Sequence, residues 1–94
     1  MTRDQNLELL LSVHDFPGPF TYKVIGRTDN DFAERVLGEF RELLELEFDP
    51  PHTIRETAAG RHVALTVEPW VDSADAVLDI YTRLRETEGL VVLL

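Results

Sequence analysis

Pro19–Phe40, PFTYKVIGRTDNDFAERVLGEF, reads as a strand, a turn and an amphipathic helix in immediate succession. The rest of the chain is placed against it. Phe20, Tyr22 and Val24 alternate with Thr21 and Lys23, a period-two pattern of aromatic and β-branched residues that marks a half-buried strand. Ile25 falls on the polar side, so this second face is not fully wet. Gly26 is read as the end of the strand, where a residue without Cβ lets the backbone turn. Thr28, Asp29 and Asn30 are competent N-caps, and Asp31 adds negative charge where the helix dipole favours it. Phe32, Ala33, Val36, Leu37, Phe40, Leu43 and Leu44 then follow the i, i+3/i+4 rhythm of one buried helix face. Glu34, Arg35, Glu39, Arg41, Glu42 and Glu45 form the solvated face. A strand feeding a helix is half of a βαβ unit and predicts a partner strand parallel to the first.

Downstream, Phe48-Asp49-Pro50-Pro51 stops the helix. His52–Ala58 is read as a weak edge strand with one large apolar residue, Ile54, and Ala58-Ala59-Gly60 as a turn. Val63, Leu65 and Val67 alternate with His62, Ala64, Thr66 and Glu68, so Arg61–Glu68 completes a β-hairpin. Pairing Ile54 with Leu65 places both on the core face. Pro69 ends this strand. Asp72 and Ser73 cap a second helix, with Ala74, Val77, Leu78, Tyr81 and Leu84 as its apolar stripe. Leu90–Leu94 is a short buried strand after Gly89. Upstream, residues 1–14 are expected to be a flexible or loosely packed N-terminal segment. Met1–Asn6 is polar and frayed, and Leu7, Leu10 and Leu11 make at most one helical turn or an extended cover.

The order β-α-β-β-α-β predicts an α+β fold of the ferredoxin-like split β-α-β type, a four-stranded antiparallel sheet with two helices on one face. Its first and third strands are placed at the centre, and read as parallel. The opposite sheet face is lined by Thr21, Lys23, Ile25, His62, Ala64, Thr66 and Glu68. It is either solvated or covered by the N-terminal segment or a second copy.

Composition narrows the function. The 94 residues suit one domain with a modest core, and 44 % hydrophobic residues argue against disorder. The absence of cysteine excludes disulfides, thiolate metal sites and thiol nucleophiles. A net charge of −9, with nine basic residues against 18 acidic ones, makes nucleic acid and anionic membranes poor partners. The longest apolar runs are far short of the roughly 20 residues that span a bilayer. The start, MTRDQN, lacks an apolar signal core, so a cytoplasmic location is expected.

Phe16-Pro17 followed by Phe20-Thr21-Tyr22-Lys23-Val24-Ile25-Gly26 resembles the F-P-x-x-F-x-x-K-V-x-G signature of the YbeD-like bacterial proteins, small domains of unknown function. The likeness runs from about Leu9 onward, through Gly60-Arg61-His62-Val63-Ala64-Leu65-Thr66-Val67 to the C-terminal strand. It departs at Glu56-Thr57-Ala58-Ala59, which stands where a Ser- and Gly-rich turn is expected. The resemblance implies a fold similar to the ACT-like regulatory domains, some of which bind amino acids. It carries no catalytic residues, and the step from that fold to sensing is analogy.

Candidate chemistry is sparse. Arg27 before the first helix invites comparison with acylphosphatase-like hydrolases, but the loop GRTDND sets two aspartates where a phosphate would sit. The three histidines, His14, His52 and His62, do not converge on the expected hairpin, so no metal site is expected. No exposed aromatics on the central strands and no basic surround support RNA binding. No catalytic residue and no cofactor is assigned. Two binding readings remain. One is a protein-interaction or regulatory adaptor, using the acidic helix faces with Glu34, Glu39 and Glu42, the region of Trp70, or self-association. The other is a small-molecule sensing domain with an amino-acid effector at Gly26, Arg27, Thr28 and Asn30, where free helix N–H groups receive a carboxylate.

Overall fold

The computed structural model describes residues 2–57 and 59–94. It contains nine elements: α1 (Arg3–Val13), β1 (Gly18–Pro19), β2 (Tyr22–Arg27), α2 (Phe32–Leu44), β3 (His52–Glu56), β4 (His62–Val67), β5 (Trp70–Val71), α3 (Ala74–Arg85) and β6 (Leu90–Leu93). The four main strands form a sheet in the order β3-β4-β2-β6, with every neighbouring pair antiparallel. With α2 and α3 packed on one side, this is the ferredoxin-like split β-α-β fold.

The expected parallel central pair is corrected. β2 and β4 do lie side by side at the centre, but they run antiparallel. The reason is the split. The α2 crossover brings β3 back in the direction of β2 but one strand away, and β4 reverses through the hairpin into the gap between them. A hairpin partner inserted beside β2 must oppose it.

The core lies between the sheet and the helices. Tyr22 and Val24 of β2, Phe32, Val36, Leu37 and Phe40 of α2, Val63, Leu65 and Val67 of β4, and Val77, Ile80 and Leu84 of α3 are all buried. Ile80 completes an α3 stripe that periodicity had drawn through Leu78 and Tyr81. Those two are only half-buried, since they border α1, and Tyr81 also reaches the Tyr22 and Phe20 rings. Tyr22 anchors an aromatic cluster, with ring centroids 5.0 Å from Phe20, 5.2 Å from Phe40 and 4.9 Å from Tyr81. Its hydroxyl donates to the Val77 carbonyl at 3.2 Å, so the buried phenol keeps a partner. Burial, with Tyr81 beside it, pushes its pKa well above the usual tyrosine range.

Gly26 does not end the strand, as its position had suggested; it lies inside β2. A Cβ there would meet the Phe32 ring at 2.3 Å, so glycine is needed for close approach rather than for a turn. The chain turns later, at Asn30 and Asp31, which both take left-handed conformations (φ 56° and 53°). Asp31 rather than Thr28, Asp29 or Asn30 is the N-cap of α2, and its side chain makes no capping bond.

Two further differences concern the ends of the chain. α1 is a three-turn helix where at most one turn was expected. Thr2 and Gln5 form a reciprocal capping box, which supplies the start signal that the weak leucine stripe does not. α1 packs on α3, and Arg3 reaches Asp79 at 2.8 Å and Asp75 at 3.4 Å. No α1 residue is buried. In the hairpin, Ile54 pairs with Leu65 as expected, yet Ile54 is 48 % exposed because β3 is the sheet edge and Ile54 borders an open groove beside α2. The expected end of that strand at Ala58 falls outside the described residues.

Candidate functional site

The four residues proposed to hold an effector are placed apart by the fold. Gly26 is buried beneath Phe32. Arg27 follows the strand alternation to the opposite sheet face, where its guanidinium lies 4.0 Å from Asp29. The Thr28 hydroxyl donates to the carbonyls of Gly60 (2.9 Å) and Arg61 (3.3 Å), stitching the loop to the hairpin turn. The Asn30 carbonyl accepts from Arg35 Nε at 2.8 Å. Only Thr28 reaches the groove beside the α2 N-terminus, a depression of about 310 Å³ whose lining includes Asp31, Glu34 and Glu56. The uncapped N–H groups favour an anion, but three carboxylates around them oppose one at close range. Arg27, on the far face, builds no phosphate cradle with this helix end.

The histidines are likewise dispersed. His14 packs at a tilt against Phe20 (ring centroids 4.9 Å, interplanar angle 58°), His52 Nδ1 lies 2.8 Å from the Pro50 carbonyl, and His62 sits on β4 opposite Arg27. Among the described residues no three His, Asp or Glu side chains are grouped to hold a metal ion.

One carboxylate is held in an unusual setting. Glu39 of α2 lies partly buried against α3, accepting the Thr87 hydroxyl at 2.7 and 2.9 Å. Burial raises its pKa, opposed by that hydrogen bond and by the charges of Arg83 and Arg35. Glu39, expected on the solvated face, is therefore part of the α2–α3 contact.

The sheet face away from α2 and α3 is left uncovered, with Lys23, Thr53, Arg55 and Val92 exposed on it. Because α1 packs on α3, the N-terminal segment does not cover this face. Register sets its composition. Thr53, Thr66 and Lys23 lie in one row, continued by Leu94 through a reciprocal backbone pair with Lys23, and Arg55, Ala64, Ile25 and Val92 lie in the next. The short β1–β5 pair belongs to the same surface. Its register, Gly18↔Val71 and Pro19↔Trp70, continues that of Tyr22↔Val67 without a slip, and Phe20 N–H bridges the interval by donating to the Pro69 carbonyl at 3.0 Å. The alternation of β4 therefore runs on to Trp70, which is 62 % exposed while Pro69 and Val71 on either side are buried. Trp70 caps one end of the open face instead of closing the core.

Periodicity had identified Lys23, Ile25, Ala64 and Thr66 on this face but not Arg55, Val92, Leu94 or Trp70. The signal for Arg55 was present: pairing Ile54 with Leu65 puts Arg55 and Ala64 together on the other side. The signal for Trp70 was hidden by Pro69, which reads as the end of the strand although register continues past it. Among the described residues no helix is long and apolar enough to cross a membrane.

Comparison with known proteins agrees with the resemblance carried by the opening motif. The model of a family described as "Protein of unknown function (DUF493)" matches residues 12–94. A UPF0250 protein of Shewanella amazonensis is 29 % identical over 89 residues, covering 95 % of this chain and 91 % of its own. A UPF0250 protein of Shewanella piezotolerans is 26 % identical over 76 residues, covering 81 % of this chain and 84 % of its own. No solved structure matches the chain at a significant level.

Proposed function

Since the chain belongs to DUF493, a family of unknown function, we propose its role from its surface: a non-catalytic protein-interaction domain that serves as an adaptor. The observation that carries this reading is the outward Trp70. Indole rings are enriched where one protein anchors on another, and a large apolar side chain held on rigid extended backbone loses little entropy when a partner covers it. Trp70 sits on paired strands between two buried residues, so its exposure is built into the ribbon. Ile25, Val92 and Leu94 add apolar surface further along the same face, past Thr21 and Glu68.

The test uses the chain's one tryptophan. Its emission in the isolated protein should be that of a solvated indole, readily quenched by acrylamide. Protein captured from lysate of the source bacterium should shift that emission to the blue, and Trp70→Ala should abolish capture without altering the melting temperature. Capture that survives Trp70→Ala would remove the indole from the interface and the reading with it.

A second reading is supported by the uncapped α2 N-terminus beside Thr28, as an amino-acid sensing site. The surrounding carboxylates direct it toward the ammonium rather than the carboxylate end of such a ligand. A thermal-shift panel of amino acids separates the readings. A ligand at about 100 times its dissociation constant adds roughly 2.7 kcal/mol, and Glu34→Gln with Glu56→Gln should erase that response while Trp70→Ala should not.

A further inference from the structure

The open face also carries information about the chemistry of its partner, an inference that rests on the interaction-domain reading. The chain has a net charge of −9, and its helices carry acidic side chains such as Asp4, Glu34, Glu42, Asp75 and Asp79. The helices carry Arg3, Arg35, Arg41, Arg83 and Arg85 among their acids, and Arg3, Arg41 and Arg83 are paired with carboxylates. The outward positions of the sheet instead present Lys23, Arg55 and Arg27, the last beside Asp29, with Glu68 as the acidic residue between Thr66 and Trp70. Lys23 and Arg55 make no ion pair among the described residues. Between them lies a shallow depression of about 360 Å³ lined by Lys23, Thr53, Arg55, Ala64 and Thr66, none of them acidic. Ile25, half-buried, and Val92, exposed, border it in the same row as Arg55 and Ala64.

We infer that the open face binds an acidic, amphipathic segment of a partner protein, its carboxylates over Lys23 and Arg55 and its apolar side chains over Ile25, Val92 and Trp70. Charge complementarity selects this occupant. A long-stemmed Lys and Arg flanking the small residues Ala64 and Thr66 offer two separated cations, which match carboxylates spaced along a chain. A second copy docked by the same face would bring the same cation-bearing patch to both sides of a two-fold interface, where carboxylates to match Lys23 and Arg55 are few. Docking by its acidic helices instead would be a heterologous, head-to-tail contact. Nucleic acid gains from the number of phosphates neutralised, and here few cations stand on a chain whose overall charge repels a polyanion.

The experiment is a ¹⁵N–¹H correlation titration of the full chain with a synthetic peptide of about twelve residues alternating Leu and Glu. The same-length Leu/Lys peptide, oligothymidylate and a dilution series without peptide are run beside it. The expected result is shifts confined to β2, β3, β4, β6 and Trp70 with the Glu peptide alone. Binding should weaken at least about tenfold in Lys23→Glu with Arg55→Glu, and stay within about twofold in Arg83→Glu with Arg85→Glu, which changes net charge equally on the helix side. Melting curves establish that both variants fold. Shifts on the helices, or equal binding by the Lys peptide, overturn the inference. Tighter binding of oligothymidylate assigns the face to nucleic acid, and concentration-dependent shifts without peptide assign it to a second copy; either outcome overturns it. Peptide binding that Trp70→Ala abolishes but the double charge reversal spares leaves the interaction-domain reading standing and removes only the acidic partner.

Discussion

Gly26 shows how much one side chain, or its absence, decides in this molecule. Its missing Cβ is the space into which the Phe32 ring packs. Phe32 is itself fully buried and cannot swing away, so Gly26→Ala overpacks the junction of β2 and α2. The expected cost is about 1–3 kcal/mol, read as a lower urea midpoint with unchanged slope. Glu39 makes a pH-dependent prediction. Its pKa is raised in the fold, so the folded state binds the proton more tightly than the unfolded chain. Its contribution is then favourable at low pH and is lost as pH rises through the raised value. Glu39→Gln should therefore raise the melting temperature at pH 7, and the advantage should vanish below about pH 4, where the unfolded chain's carboxyl also protonates. Thr87→Val, which removes the hydroxyl donor, should act in the opposite direction at pH 7. Trp70→Ala should leave stability within about 0.5 kcal/mol, since the indole is mostly in water.

At the scale of elements, α1 stands apart from the rest. The family match begins at residue 12, near the end of this helix, and none of its residues is buried. Its attachment to α3 consists of partial apolar contact around Leu10 and exposed ion pairs from Arg3. Exposed pairs contribute about 0–1 kcal/mol each. A chain starting after Val13 should therefore keep the sheet and the other helices, with a far-ultraviolet spectrum reduced only by α1. Amide exchange in the full chain should find α1 opening well before β2 and β4, the buried central strands. The edge strand β3 belongs to the same low-stability end, with every residue exposed.

Across the whole molecule, charge is unbalanced. The 18 acidic groups outnumber the nine basic ones, and the arginines paired with Asp75, Asp79, Glu34, Asp49 and Glu42 offset only part of the repulsion among them. Added salt should screen this repulsion. The melting temperature should rise from 10 mM to 150 mM sodium chloride, whereas binding of an acidic segment to the open face should weaken over the same range. Opposite salt responses of stability and binding in one protein would separate the overall repulsion from the local attraction at the open face.

The pattern of residues determined the elements and their order, because alternation and the 3.6-residue period report directly which side of each element is apolar. β2, α2, the hairpin with Ile54 opposite Leu65, α3 and β6 were all legible in this way, as was the family through its opening motif. Local pattern does not report direction within a sheet, so the antiparallel central pair follows only from the split crossover. It also could not separate a glycine that turns from one that is packed upon, or assign Trp70 to a side once Pro69 interrupted the strand. α1 was missed because its stability comes from a cap and from docking on Leu78 and Tyr81, and its own apolar stripe is weak. The residues proposed for a site are close in sequence, yet the fold turns them apart, Gly26 under Phe32, Arg27 toward Asp29 and Thr28 onto the hairpin turn. The open face needed the tertiary structure most. Lys23, Arg55, Val92 and Trp70 come from four different strands, and only strand order and register bring them onto one surface.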